Sequence, residues 1–282
     1  MKKRISLVNL KTALLLAIMG GVLTLLIMKR NSNKSIDLVA KNISEYPVAT
    51  PHGDIQEVFE DVFYVTGSVE MAPGLQISRN MTILREGHSL TLISAVRLNE
   101  EGLRKLDSLG KVAHVMKLGD YHLGDKYNGI DDAFYLDRYR AKYWAMPGMT
   151  HLNGLETTNL MIPGGELPIK GASLFAFETA KRPEGLLILE QDSGVLISAD
   201  CFQNWIDTRY FSLLAKTTLK LSGFIRPANI GPKWRNDCKP QSTDFERLKA
   251  IKFRHLIPSH GTPIKNTAKE DFAPIIKELY GV

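Results

Sequence analysis

Cysteine is scarce in this 282-residue chain: Cys201 and Cys238 are the only two. That excludes a disulfide-built scaffold and a cysteine-rich zinc site. Acidic residues are absent from residues 1–36, which carry seven Lys or Arg. Removing those seven positive charges from the formal net charge of +6 leaves the remainder at −1, so the rest of the chain has no electrostatic footing for nucleic acid. Internal repeats are also missing, and there is no low-complexity tract beyond one apolar run near the start. With 44% hydrophobic and 23% charged residues, the composition is otherwise that of an ordinary globular protein.

The apolar run is Thr12 to Met28, "TALLLAIMGGVLTLLIM", 17 residues without a charge. As a helix it spans roughly 25 Å, slightly less than the ~30 Å hydrocarbon core. Lys11 and Lys29 can snorkel to the two interfaces and close the difference. The expectation is an N-terminal membrane anchor over residues 1–34, with a single transmembrane helix at about 12–28. A cleaved signal peptide is the competing reading, but no A-x-A-like site follows the run, and no Cys follows it to receive a lipid. Basic residues flank both ends, so the positive-inside rule only leans toward a cytoplasmic N-terminus. The domain is then expected at the cell membrane on its extracytoplasmic side, where a Cys201–Cys238 bridge is open to it; two unrelated thiols are the simpler reading.

Residues 35–57 are polar, with Pro47, Pro51 and Gly53, and read as a tether. From Val58 the pattern turns β, in "VFEDVFYVTGSVEM", "MTILREG" and "SLTLISAV". "NEEGLRKLDSLG" then spaces Leu103, Leu106 and Leu109 for a helix, with Asn99 as N-cap and Gly110 as stop. "KVAHVMKL" returns to a strand. A helix follows in "DDAFYLDRYRAKYW", its apolar side assigned to Phe134, Leu136, Tyr139 and Tyr143. "LFAFET", "GLLILEQ" and "GVLISADC" read as strands, Trp205 to Lys252 as helix-prone, "FRHLIPSHGTPI" as a strand and Lys269 to Leu279 as a helix. Two β-rich halves, each followed by helices, predict an α+β domain over residues 58–282, built as a four-layer αββα sandwich.

Ligand-type side chains fall where three of these strands end. "GDYHLGD" holds Asp120, His122 and Asp125; Asp200 closes "LISAD"; His260 sits in "IPSHG". Loops just past strands let a rigid sheet hold side chains convergent around an open cavity. Carboxylates and neutral imidazoles are the usual donors for divalent cations, and a set richer in carboxylate than imidazole suits iron or manganese at least as well as zinc. His52, His88, His114, His151 and His255 match no such position and read as surface or packing residues. The bland alternative for "GDYHLGD" is a solvated acidic turn that caps the helix at Asp131.

In this pattern the chain resembles the metallo-β-lactamase fold superfamily, over about Phe59 to Ile264. The family pattern is T-H-x-H-x-D-H after a strand, a His in a PGH turn, an Asp closing a strand and a final His in HG. "LGDYHLGD" lies over the first element, so Asp120 takes the first His position and His122 keeps the second. Gly124 replaces the Asp, and Asp125 the adjacent His. Arg182 in "AKRPEG" falls near the third His position. Asp200 matches the bridging Asp and His260 the last His. "LISAV" replaces the family's "LIDTG", removing at Ser94 an Asp that helps orient the site.

The resemblance implies hydrolase ancestry with a reduced site. A binuclear centre is not expected; the donors suffice in number for one divalent metal (Zn, Fe or Mn), held by His122, Asp125, Asp200 and His260, or the site holds none. A bound metal would lower the pKa of a bound water toward ~7 and polarise a carbonyl or phosphoryl group. Asp120 or Asp125 is then the candidate proton acceptor, and Arg182 the candidate contact for an anionic small-molecule substrate. The sequence does not name that substrate. The alternative is a non-catalytic binding or scaffold module that kept the fold and lost its metals, with Arg182 paired to Asp120 in the space a metal vacated.

Overall fold

The computed structural model describes residues 46–122, 131–152 and 154–282. The expected anchor lies outside them, and no helix among the described residues is long and apolar enough to cross a membrane. Within the stretch expected as a tether, residues from Tyr46 on are fastened to the domain. The Tyr46 ring meets Phe134 edge-on at 5.4 Å and its hydroxyl reaches Asp137, while Thr50 donates to the Ser68 carbonyl at 2.8 Å.

The first sheet has seven strands in sequential order: β1 (Gln56–Phe59), β2 (Val62–Ala72), β3 (Leu75–Glu86), β4 (Ser89–Ile93), β5 (Lys111–Lys117), β6 (Lys142–Ala145) and β7 (Asn159–Leu160). β1 to β4 pair antiparallel and β4 to β7 parallel. The parallel crossovers carry α1 (Glu100–Leu109) and α2 (Asp131–Tyr139). As expected, Asn99 caps α1, its side chain accepting from the Gly102 amide at 2.8 Å, and Gly110 follows the helix.

The second sheet runs in the order β13 (His255–Pro258), β10 (Val195–Ser198), β9 (Gly185–Leu189), β8 (Ala172–Ala176). A small pair is formed by β11 (Phe202–Gln203) and β12 (Asn229–Ile230). The helices of this half are α3 (Leu213–Leu221), α4 (Pro232–Cys238), α5 (Ser242–Lys249) and α6 (Ala268–Tyr280).

Strand periodicity divides the apolar residues between three layers of core. In β9, Leu187 and Leu189 face the first sheet, joining Leu84, Ile93, Met116 and Leu118. Leu186 and Ile188 of the same strand turn the other way, onto Trp234, Phe245 and Phe272 of α4, α5 and α6. Met81, Ile83, Leu90 and Leu92 pack outward on Leu103 and Leu106 of α1 and Phe134 of α2. Helices on one sheet, the two sheets face to face, and helices on the other make the four-layer sandwich expected from the sequence.

One local expectation is corrected. Tyr143, assigned to the apolar side of a helix, lies on β6, because α2 ends at Tyr139 and Arg140 has φ of 56°. The stretch "VFEDVFYVTGSVEM" forms the end of β1 and most of β2, antiparallel and turned at Asp61 with φ of 60°. Cys201 and Cys238 are both buried free thiols, as the simpler reading had it.

The turn after β8, which carries Arg182, is held from below by Asp244 of α5. This buried carboxylate accepts from the amides of Glu178 and Thr179 at 3.0 Å each, from the Thr179 hydroxyl, and from Arg247 at 2.9 Å. Asp244→Ala would leave two partly buried amides without their carboxylate partner and open the site of a buried side chain, at a cost of roughly 3 kcal/mol, a fall in Tm of about 6–12 °C for a domain of this size. Thermal denaturation followed by circular dichroism checks this; a shift under about 2 °C would contradict it.

Candidate metal centre

Strand register places the first two donors. β10 and β13 run parallel with Ser198 opposite Pro258, so residues two positions further on, Asp200 and His260, leave the sheet side by side at the same edge. The third donor, His122, follows β5 of the other sheet. The two sheets are pinned at this end: Asn80 of β3 donates through its side chain to the Pro258 carbonyl at 2.8 Å and through its amide to the Ser259 carbonyl at 2.7 Å. Ser259 donates to Ser94, just past β4, at 2.8 Å.

His122 Nε2 lies 3.2 Å from Asp200 Oδ2, and His260 Nε2 lies 3.2 Å from Asp200 Oδ1. The donor atoms of the three residues fall within 4.8 Å of one another. The imidazoles meet edge to face at 5.2 Å, and the Trp205 ring lies over His260 at 5.3 Å. Both nitrogens of His122 and Oδ2 of Asp200 are buried without a hydrogen-bond partner, so the close His122–Asp200 approach lacks the angles of a hydrogen bond. Buried polar atoms are seldom left this way. A tetrahedral cation about 2.0–2.2 Å from each donor separates neighbouring donors by about 3.4 Å, close to the two approaches seen. The residues fit a metal ion.

Their protonation fits as well. Burial holds the His122 imidazole below its ordinary pKa, the direction that favours a metal ligand. Burial opposes ionisation of Asp200, but the adjacent imidazoles of His122 and His260 outweigh it and hold the carboxyl well below the usual range. Among the described residues the set is two imidazoles and one carboxylate; Asp125, the fourth expected ligand, lies outside them.

Asp120 is not among these donors. Its Oδ2 accepts from Arg182 at 2.9 Å and its Oδ1 from the Thr150 amide. Arg182, whose side chain is 49% exposed, lies over the Tyr121 ring at 4.9 Å. Both oxygens of Asp120, the candidate proton acceptor, are thus engaged. His151, whose Nε2 pairs with the Thr157 hydroxyl at 2.8 Å, stands apart from the donor group, as do the other four histidines.

Glu184 was not singled out from the sequence. It is fully buried, and its Oε1 accepts from the amides of Asp200 and Cys201 at 2.7 and 2.8 Å. Burial, reinforced by the charge of Asp200, raises its pKa well above the usual range. The same residue braces the His122 side: Gly119 pairs with Glu184 across a β-bridge, and a Cβ at Gly119 would come within 2.4 Å of Glu184 Oε2. Lys117 was missed too. It is buried, donates to the Thr150 carbonyl, and lines with Arg79, Ser94, His122 and Asp132 a cavity of about 10 Å³, the size of one water. The one sequence signal for Lys117 and Glu184 is a charge at the end of an otherwise apolar strand. Beside His260 a groove of about 240 Å³ is lined by Tyr64, Ser78, Ile206, Arg209, Gly261 and Thr262, among others.

No family model matches the chain, and no curated protein matches it in sequence. Solved structures do match. A metallo-β-lactamase from Erythrobacter litoralis is 13% identical, covering 83% of this chain and 96% of its own, with a TM-score of 0.52. The mono-zinc form of the FIM-1 metallo-β-lactamase from Pseudomonas aeruginosa is also 13% identical, covering 82% and 97% at 0.53. A metallo-β-lactamase from Hirschia baltica is 15% identical, covering 80% and 98% at 0.51. The chain has the metallo-β-lactamase fold.

Glu184→Gln keeps the Oε1 acceptor and should leave Tm within about 2 °C of the parent. Glu184→Ala strips the Asp200 and Cys201 amides of their partner and should lower it by roughly 4–24 °C, at about 1–3 kcal/mol per orphaned group. Equal Tm values for the two variants would contradict the bracing role.

Proposed function

We propose that this protein is a metal-dependent hydrolase with a single cation held by His122, Asp200 and His260. The observation that carries the reading is the set of buried, unpartnered donor atoms on His122 and Asp200, with His260 on the other carboxylate oxygen. Two imidazoles and one carboxylate suit zinc, and also iron or manganese. When bound, such an ion supplies Lewis acidity and brings the pKa of a water toward about 7.

The chain's own residues do the rest. Asp200 presents one oxygen to each imidazole and is kept in that pose by Glu184 behind its amide. Trp205 covers one face of His260 and limits water on that side. Arg182 neutralises Asp120 and keeps half of its side chain in solvent, where it can receive an anionic group of the substrate. The ion pair also supports one metal over two, since Asp120 is spent on a guanidinium. The substrate is read as a small carbonyl or phosphoryl ester; a chain without Asp120 as a ligand is a poor candidate for a binuclear β-lactamase. The domain is proposed to sit at the outer side of the cell membrane, held by the Thr12–Met28 run. The convergent donors weigh against the alternative of a metal-free scaffold.

Protein purified without chelators should carry close to one equivalent of Zn, Fe or Mn by elemental analysis. His122→Ala, His260→Ala and Asp200→Asn should each cut metal content at least about tenfold, along with any esterase or phosphodiesterase activity. Metal content below about a tenth of an equivalent, with no gain in Tm on adding metal, would contradict the proposal.

A further inference from the structure

Four of the large apolar side chains most open to solvent fall within sixteen residues of one another: Ile206, Leu213, Leu214 and Leu221, the leucines at 81%, 57% and 74% exposure. Helix α3 seats on the domain through Ala215 and Leu219, against Ile77 and Trp205. Its outward side then carries two adjacent stripes at helical spacing, Leu213, Lys216 and Lys220 beside Leu214, Thr217 and Leu221. Leucines turned to water at both ends of one short helix call for a partner.

Charge decides which partner. The segment Trp205–Arg226 holds four basic residues, Arg209, Lys216, Lys220 and Arg226, against the single acid Asp207. Protein interfaces are depleted of lysine, whereas lysines beside exposed leucines suit a lipid surface: the apolar side chains enter the acyl boundary while the ammonium groups meet anionic headgroups. We propose that α3 and the preceding turn at Ile206 form a docking face for an anionic lipid bilayer. Ile206 and Arg209 also line the groove beside His260, so the groove opens at the edge of this face. The inference does not depend on the metal site.

The full chain serves for the test. Thr217→Cys and, as a control on α1, Lys105→Cys introduce exposed labelling sites, while Cys201 and Cys238 are buried. Each labelled protein is mixed with vesicles of phosphatidylcholine, alone or with phosphatidylglycerol, containing a brominated lipid as quencher. The label at residue 217 should be quenched several times more strongly than the label at 105 in anionic vesicles, and less in the zwitterionic ones. Replacing Leu213, Leu214 and Leu221 together by Asn should weaken the contact at least about tenfold, with Tm unchanged. Equal quenching at 217 and 105, quenching that survives the triple substitution, or quenching indifferent to lipid charge would overturn the proposal. So would sedimentation showing that the leucines bury against a second copy of the chain.

Discussion

The parallel pairing of β10 with β13 is the constraint on which the site depends. Register fixes Ser198 beside Pro258, and two residues of chain on each strand are too short to carry Asp200 and His260 apart. Everything else adjusts to that pair. Glu184 takes the two amides at the Asp200 turn, Asn80 takes the carbonyl ahead of His260, and Gly261, with φ of 98°, lets the chain pass close to Asn204. β5 then needs only to deliver His122 from the facing sheet.

A second consequence concerns charge. Where the superfamily pattern puts imidazoles, this chain has Asp120 and Arg182, joined at 2.9 Å. A guanidinium offers a carboxylate the positive charge that a metal otherwise supplies, with donors fixed in direction. Because Arg182 is half in solvent, the pair is not wholly removed from water, and its contribution to stability is modest. Its effect on the site is larger, for it withdraws one carboxylate from the metal ligands and leaves His122, Asp200 and His260 as a set of three among the described residues.

Much of the fold was legible because the strands alternate or run continuously apolar and the turns are marked by glycine. The strand ends at Asp120, Asp200 and His260 were legible for the same reason, since each closes an apolar run. Tyr143 was misplaced because an aromatic at helical spacing can equally begin a buried strand. Glu184 and Lys117 escaped notice because single charges next to apolar runs read as solvent-facing ends; their burial follows from tertiary contacts, the Asp200 amide and the Thr150 carbonyl, that no local pattern encodes. The pairing of Asp120 with an arginine 62 positions away was open to the sequence only as an alternative, because nothing in the local pattern chooses between a proton acceptor and an ion-pair partner.

The central claim is that one cation sits among His122, Asp200 and His260. Anomalous diffraction from crystals of the metal-loaded protein, collected at the absorption edge of the metal found by elemental analysis, tests it most directly. The account predicts one peak about 2.0–2.2 Å from Nε2 of each imidazole and from the Asp200 carboxylate, with none at Asp120. No peak at the three residues, or a second peak of similar height between Asp120 and Arg182, would contradict it.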